Sequence, residues 1–164
     1  MNTKLIIIDF QNDLIENMHY NDINKIIDNI ISFINKSEGI EVFYTINKNG
    51  AEISNKFKNE IRNIVLRPSI DNIYIHNDIS AYESFNKNKQ QYTTLHENTG
   101  RWNIYICGIS FNKNIEQTIN DFLDVDAEVT ILKNCIAYYD KNDTKNYFRE
   151  FDKLGVNILH VNNN

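Results

Sequence analysis

The sequence predicts an α/β fold: a three-layer α/β/α sandwich on a six-stranded, mainly parallel, Rossmann-like sheet. Three observations point there. Lys4–Ile8 is an unbroken apolar run, as in a central parallel strand buried on both faces. Strand-like and helix-like segments then alternate to the end of the chain, the pattern of a parallel sheet with right-handed crossovers. Finally, Asn103–Phe122 (NIYICGISFNKNIEQTINDF) reads as a buried strand, a glycine turn at Cys107-Gly108, and a helix carrying Ile115, Ile119 and Phe122 on one face. A strand turning tightly into a helix offers free backbone N–H groups at a helix N-terminus, and open α/β sheets place their chemistry at such turns.

The elements follow in order. After the first strand ends at Asp9, Asn21 or Asp22 caps a helix with Ile23, Ile26, Ile27, Ile30, Ile31 and Ile34 on one stripe, closed by Glu38-Gly39. Ile40–Ile46 is a second strand. Ala51–Val65 is a weaker helix, broken by Arg67-Pro68. Asn72–Ile75 is a short third strand, and a short helix around Thr93–Asn98 ends at Gly100. After the strand–turn–helix of 103–122, Glu128–Leu132 is the fifth strand. Asp140–Leu154 is a helix with Tyr147, Phe148, Phe151 and Leu154 inward, stopped by Gly155. Val156–Val161 is the sixth strand, and the tail after it is expected to fray. No linker or repeat is visible, so 1–164 is expected to form a single domain. Asp9, His76 and the Gly108–Asn114 turn all fall at carboxyl ends of strands, where three distant segments converge on one crevice.

Composition excludes some functions. With 17 basic and 22 acidic residues the net charge is -5, and the charges are mixed along the chain, which argues against nucleic-acid binding. No apolar stretch approaches the ~20 residues of a membrane span, and the opening apolar run meets Asp9 too soon for a signal peptide. Two cysteines, Cys107 and Cys135, in buried strand contexts read as reduced thiols of a cytoplasmic protein.

The ordered motifs resemble the isochorismatase-like cysteine hydrolases, the superfamily that includes nicotinamidases. That family opens on a strand ending in D-x-Q-N-D, here Asp9-Phe10-Gln11-Asn12-Asp13. A proline, a short strand and a lysine four residues before S-A-aromatic follow; Pro68 and Ser80-Ala81-Tyr82 match, and His76 stands at the lysine position. A strand, Gly-Val and a cysteine six residues after the glycine come next, then a threonine and an aspartate. Gly108, Ile109, Thr118 and Asp121 match, and Asn114 stands at the cysteine position.

The resemblance implies an isochorismatase-like fold and a mechanism of three side chains. An aspartate moves the proton, a lysine holds positive charge beside the thiol, and the cysteine attacks a carbonyl-type carbon while turn amides stabilise the oxyanion. A thiolate is the nucleophilic form, and a lysine and a helix N-terminus lower its pKa. Here only Asp9 remains. An asparagine amide cannot be activated by losing a proton, and removing the nucleophile of such a unit costs on the order of a millionfold in rate.

Cys107 and Cys135 read better as small buried hydrophobes than as replacement nucleophiles. Nicotinamidases in the superfamily also bind a metal through an aspartate and histidines after the second strand. Here TINKNGAEIS holds no histidine, and His19, His96 and His160 show no ligand spacing, so neither a metal nor another cofactor is expected. Asp9 reads as a crevice carboxylate or as a turn cap; His76 as crevice-facing or as a surface histidine; Asn114 as a ligand contact or as an ordinary helix cap. Tyr82, Phe85, Phe111, Tyr138 and Tyr139 are candidates to line a pocket or an interface. Phe111 and Asn112 replace the small and polar turn residues usual in the family.

The expected function is a degenerate, non-catalytic member that senses or sequesters a small polar metabolite, such as a nicotinamide- or nucleotide-derived ligand. Its contacts would be Asp9, His76, Tyr82, Ser110, Phe111 and Asn114. Two alternatives stand beside it: a hydrolase in which Asp9 and His76 activate water, and a scaffold or protein-interaction subunit. Relatives often form dimers or larger assemblies, so a homo-oligomer is expected in each case.

Overall fold

The computed structural model describes residues 3–10, 23–47, 73–76, 102–109, 113–137 and 141–162. Six strands form one parallel sheet: β1 (Thr3–Ile8), β2 (Glu41–Asn47), β3 (Ile73–His76), β4 (Asn103–Ile109), β5 (Glu128–Ala137) and β6 (Asn157–Leu159). Three helices are described: α1 (Ile23–Lys36), α2 (Lys113–Asp124) and α3 (Lys141–Lys153). The sequence expectation of a parallel sheet layered between helices holds. The helices expected near 51–65 and 93–98 lie outside the described residues.

The spatial order is β3-β2-β1-β4-β5-β6. The chain winds outward from β1 to β3, then restarts at β4 beside β1 and winds out the other way. The order reverses between β1 and β4, and the carboxyl ends of those two strands frame the crevice typical of a doubly wound sheet.

Side-chain parity divides the core in two. Leu5 and Ile7 face α1, together with Val42, Tyr44, Cys107, Ile109, Leu132 and Cys135. Ile6 and Ile8 face the other way, with Phe43, Ile104, Ile106, Ile131 and Ile136, against Ile115, Ile119 and Phe122 of α2 and Phe151 of α3. The β1 run is unbroken because both of its faces are covered. Helix α1 buries Ile26, Ile27, Ile30, Phe33 and Ile34, and each such side chain contributes about 2 kcal/mol of burial. It ends where Ser37 N–H donates to Ile34 O at 3.2 Å and Gly39 takes φ 70°.

Several boundaries differ from expectation. Gly108 lies within β4, paired to Ile8 on one side and Ile136 on the other, so the turn comes after it. Strand β5 runs to Ala137, past the expected end at Leu132, and Cys135 lies inside it. The reason is a bulge. Between the pairs Ile106–Ile131 and Gly108–Ile136, β4 advances two residues while β5 advances five. The polar pair Lys133-Asn134, which interrupts the apolar run, occupies that bulge. Lys133 lies over the Phe148 ring with Nζ 5.1 Å from its centroid.

Asn134 works as a surrogate strand residue. Its Nδ2 donates to Val161 O and its Oδ1 accepts from Val161 N–H, both at 2.8 Å, extending the β5–β6 ladder beyond Leu132–Leu159. Its own carbonyl accepts from buried Asn29 Nδ2 at 2.8 Å. The bulge thereby returns β5 to the level of Gly108 and Ile109, at the carboxyl end of the sheet.

Leu154 was expected to point inward and does not. It falls one residue beyond α3 and is 53 % exposed, while Tyr147 and Phe148 are half-buried and Phe151 is buried. The sixth strand is shorter than expected, with Val156 and Val161 buried on either side of it.

Candidate functional site

Asp9 is the first residue beyond β1, at the point where the strand order reverses. It is 2 % exposed and has φ 51°, a left-handed conformation that aspartate tolerates better than most residues. Thr45 of β2 holds it in two ways. Asp9 N–H donates to Thr45 O and lies equally close to Thr45 Oγ1, each at 3.2 Å, while Thr45 Oγ1–H donates to Asp9 Oδ1 at 3.0 Å. Thr45 is itself 1 % exposed. Backbone and carboxylate are both fixed by one buried side chain, so the carboxylate has a set direction before any ligand arrives.

Sequence reasoning missed Thr45. The signal was there: in IEVFYTI it is the only hydroxyl-bearing aliphatic side chain of a buried strand that must lie beside the first one.

The other side of the crevice comes from β4. Gly108 has φ 125°, and a Cβ there would stand 2.1 Å from Ile8 O and 2.5 Å from Ile8 N. The two central strands therefore approach each other closely just before Asp9. Residue 114 falls in the first turn of α2, at the position expected from the glycine spacing. Further along α2, Thr118 is buried, and Asp121 Oδ1 accepts from Gln117 Nε2 at 2.8 Å.

His76 ends β3, opposite Asn47 of β2. Strand β2 stands between β3 and β1, so at ~4.8 Å per strand the β3 end lies roughly 10 Å from the β1 end. Ser110, Phe111, Tyr82, Phe85, Tyr138 and Tyr139 lie outside the described residues, as do His19 and His96.

The cysteines lie just inside this edge, within β4 and β5. Both are fully buried on the α1 face. Burial holds Cys107 well above the usual thiol range, with Cys135 beside it adding to the effect, and burial pushes Cys135 up to about 12. At neutral pH each is a protonated, inaccessible thiol, the opposite of a catalytic cysteine. The expected result of an aromatic-disulfide titration at pH 8 is no reactive thiol in native protein and two in denaturant. A fast-reacting native thiol would restore the nucleophile reading for one of them.

The sequence TINKNGAEIS, which starts at Thr45, holds no histidine, and among the described residues no group of three His, Cys, Asp or Glu side chains is placed to hold a metal. Among the described residues, no helix is long and apolar enough to cross a membrane.

Known structures share this architecture. A MAR1 ribonuclease from Caenorhabditis elegans superposes with TM-score 0.74 at 17 % identity, covering 98 % of this chain and 77 % of its own. The YcaC gene product of Escherichia coli, an octameric hydrolase of unknown specificity, gives TM-score 0.73 at 11 % identity, covering 97 % and 75 %. A pyrazinamidase of Pyrococcus horikoshii in complex with zinc gives 0.70 at 20 % identity, covering 98 % and 99 %. No curated protein matches the chain in sequence. The family model of the isochorismatase domain matches residues 3–163, and the chain belongs to the isochorismatase family.

Proposed function

We propose that this protein is a non-hydrolysing member of its family that binds a small polar or aromatic metabolite in the crevice between the carboxyl ends of β1 and β4. One combination carries the reading: a buried, pre-oriented Asp9 carboxylate held by Thr45, in a crevice whose nucleophile position is Asn114. Loss of the thiol removes the chemistry. It leaves the backbone amides of the turn, the carboxylate and an amide side chain able to donate and accept. His76, Ser110, Phe111 and Tyr82 complete the proposed contacts. The ligand class is a nicotinamide-like ring or a nucleotide-derived metabolite, held for sensing or sequestration. No metal or cofactor takes part, and the working form is a cytoplasmic homo-oligomer of single-domain subunits, a proposal supported by the octameric YcaC neighbour. The ribonuclease neighbour raises RNA as a substrate class, but a net charge of -5 counts against it.

The test is native mass spectrometry of protein taken directly from cells. The expected spectrum shows a defined small-molecule mass that leaves on denaturation, at least tenfold depleted in Asp9→Asn. Equal retention by Asp9→Asn would remove Asp9 from the site.

Retention of Asp9 in a family of hydrolases supports a second reading, in which Asp9 and His76 activate water. It predicts hydrolysis of amides or enol ethers by the unmodified protein, abolished by either Asp9→Asn or His76→Ala.

A further inference from the structure

Among the described residues, four large apolar side chains are exposed, and three of them fall close together: Leu154, Ile158 and Leu159, at 53 %, 38 % and 40 %. They flank or form β6, the last strand of the sheet. Ile158 is registered to Ile131 and Leu159 to Leu132. Those partners belong to opposite core faces, and successive side chains of a strand point to opposite sides. The edge is therefore apolar above and below the sheet, where a helix layer would cover only one side.

The inner side of this strand is firmly held. Asn134 clamps Val161 through two hydrogen bonds, and Lys36 Nζ donates to Asn162 O at 2.7 Å. Asn157 Nδ2 donates to Glu128 Oε1 at 3.2 Å. The outer side has no neighbouring strand among the described residues. Free edges are ordinarily guarded by charge, proline or a bulge. From Leu154 to Asn164 there is no Asp, Glu, Lys, Arg or Pro. In a chain of net charge -5, such a strip is a place where a second copy meets no like charge.

We propose that the outer edge of β6 is a self-association surface, on which β6 of a second copy pairs antiparallel across a twofold axis. A twofold axis normal to the sheet reverses strand direction, so the two edges meet as an antiparallel pair and the patch is its own complement. Two six-stranded sheets become one continuous sheet, with Ile158 nearest the axis. Leu154 and Ile158 of each copy are covered on one face, and Leu159 on the other. This rests on the homo-oligomer reading above and names the surface that would serve it.

Sedimentation velocity tests it. The unmodified protein is expected to sediment as a dimer or a multiple of one. The double variant Ile158→Lys, Leu159→Glu is expected to fall to half that mass, with dimer affinity weakened at least tenfold. Both positions are already partly in water, so the variant subunit keeps its fold, which circular dichroism and a thermal melt verify. Directly opposed residues in an antiparallel pair have Cα atoms roughly 5 Å apart, a separation a disulfide spans. Ile158→Cys is therefore expected to form a covalent dimer on air oxidation, and Lys145→Cys on the exposed surface of α3 is not. A monomeric unmodified protein overturns both the oligomer reading and this surface. An oligomer that survives the double variant, or that Ile158→Cys fails to cross-link, overturns the surface alone.

Discussion

Gly108→Ala is expected to be the most destabilising single-methyl change in the described core, costing on the order of 4 kcal/mol or preventing folding altogether. Two penalties coincide. The backbone sits at φ 125°, a region that side-chain-bearing residues rarely adopt, and the added Cβ would lie 2.1, 2.5 and 2.8 Å from three backbone atoms of Ile8. Those atoms belong to a central strand paired on both sides, so they have nowhere to move. Gly39→Ala and Gly155→Ala are the controls. Both positions have positive φ, 70° and 78°, but nothing stands within 4 Å of the new methyl, so the cost is backbone strain alone, about 1 kcal/mol. Urea unfolding of the three variants separates the cases. A Gly108→Ala protein as stable as the Gly39 control would mean that β1 and β4 do not approach this closely. Because Asp9 follows Ile8, any strand shift that relieves the clash also moves the crevice carboxylate, and the same variant is expected to lose retained ligand.

That coupling explains what was legible in the sequence. The sheet was readable because β1 is buried on both faces and so carries no polar interruption, and because α1 repeats isoleucine at helical spacing. The places of Asp9 at the end of β1 and of residue 114 in the first turn of α2 were readable because each stands at a fixed offset from a strand end or from Gly108. The β5 bulge was not. Lys133 and Asn134 look like a strand terminus in one dimension, and only the pairing of Asn134 with Val161 and Asn29 shows that polar residues continue the strand. Leu154 misled for a related reason: it keeps the helical spacing of Tyr147 and Phe151, but Gly155 ends the helix and leaves it at the rim. Thr45 is invisible to hydropathy alone because its function depends on which strand lies beside it. Long-range pairing decides the bulge and Thr45, and local pattern does not encode it.

Putting the family chemistry back is the sharpest test of the crevice. Asn114→Cys with His76→Lys is expected to raise hydrolysis of small heteroaromatic amides from background by on the order of a thousandfold, short of a full enzyme because Phe111 and Asn112 also differ from the family turn. The new thiol would sit in the first turn of α2, where the helix N-terminus favours the thiolate, with a lysine approaching from the end of β3. Because Cys107 and Cys135 are buried and protonated, the introduced cysteine should be the single thiol that alkylates in native protein, so its reactivity can be read apart from turnover. Asp9→Asn in the same background should leave alkylation in place and remove turnover, since the thiolate would survive while the proton carrier is lost. Turnover by the unmodified protein at the rate of the double variant would decide for the water-activating reading instead. A reactive thiol at position 114 with no turnover of any amide would show that the crevice has been reshaped away from the family's substrates, leaving Asp9 and Thr45 to serve binding alone.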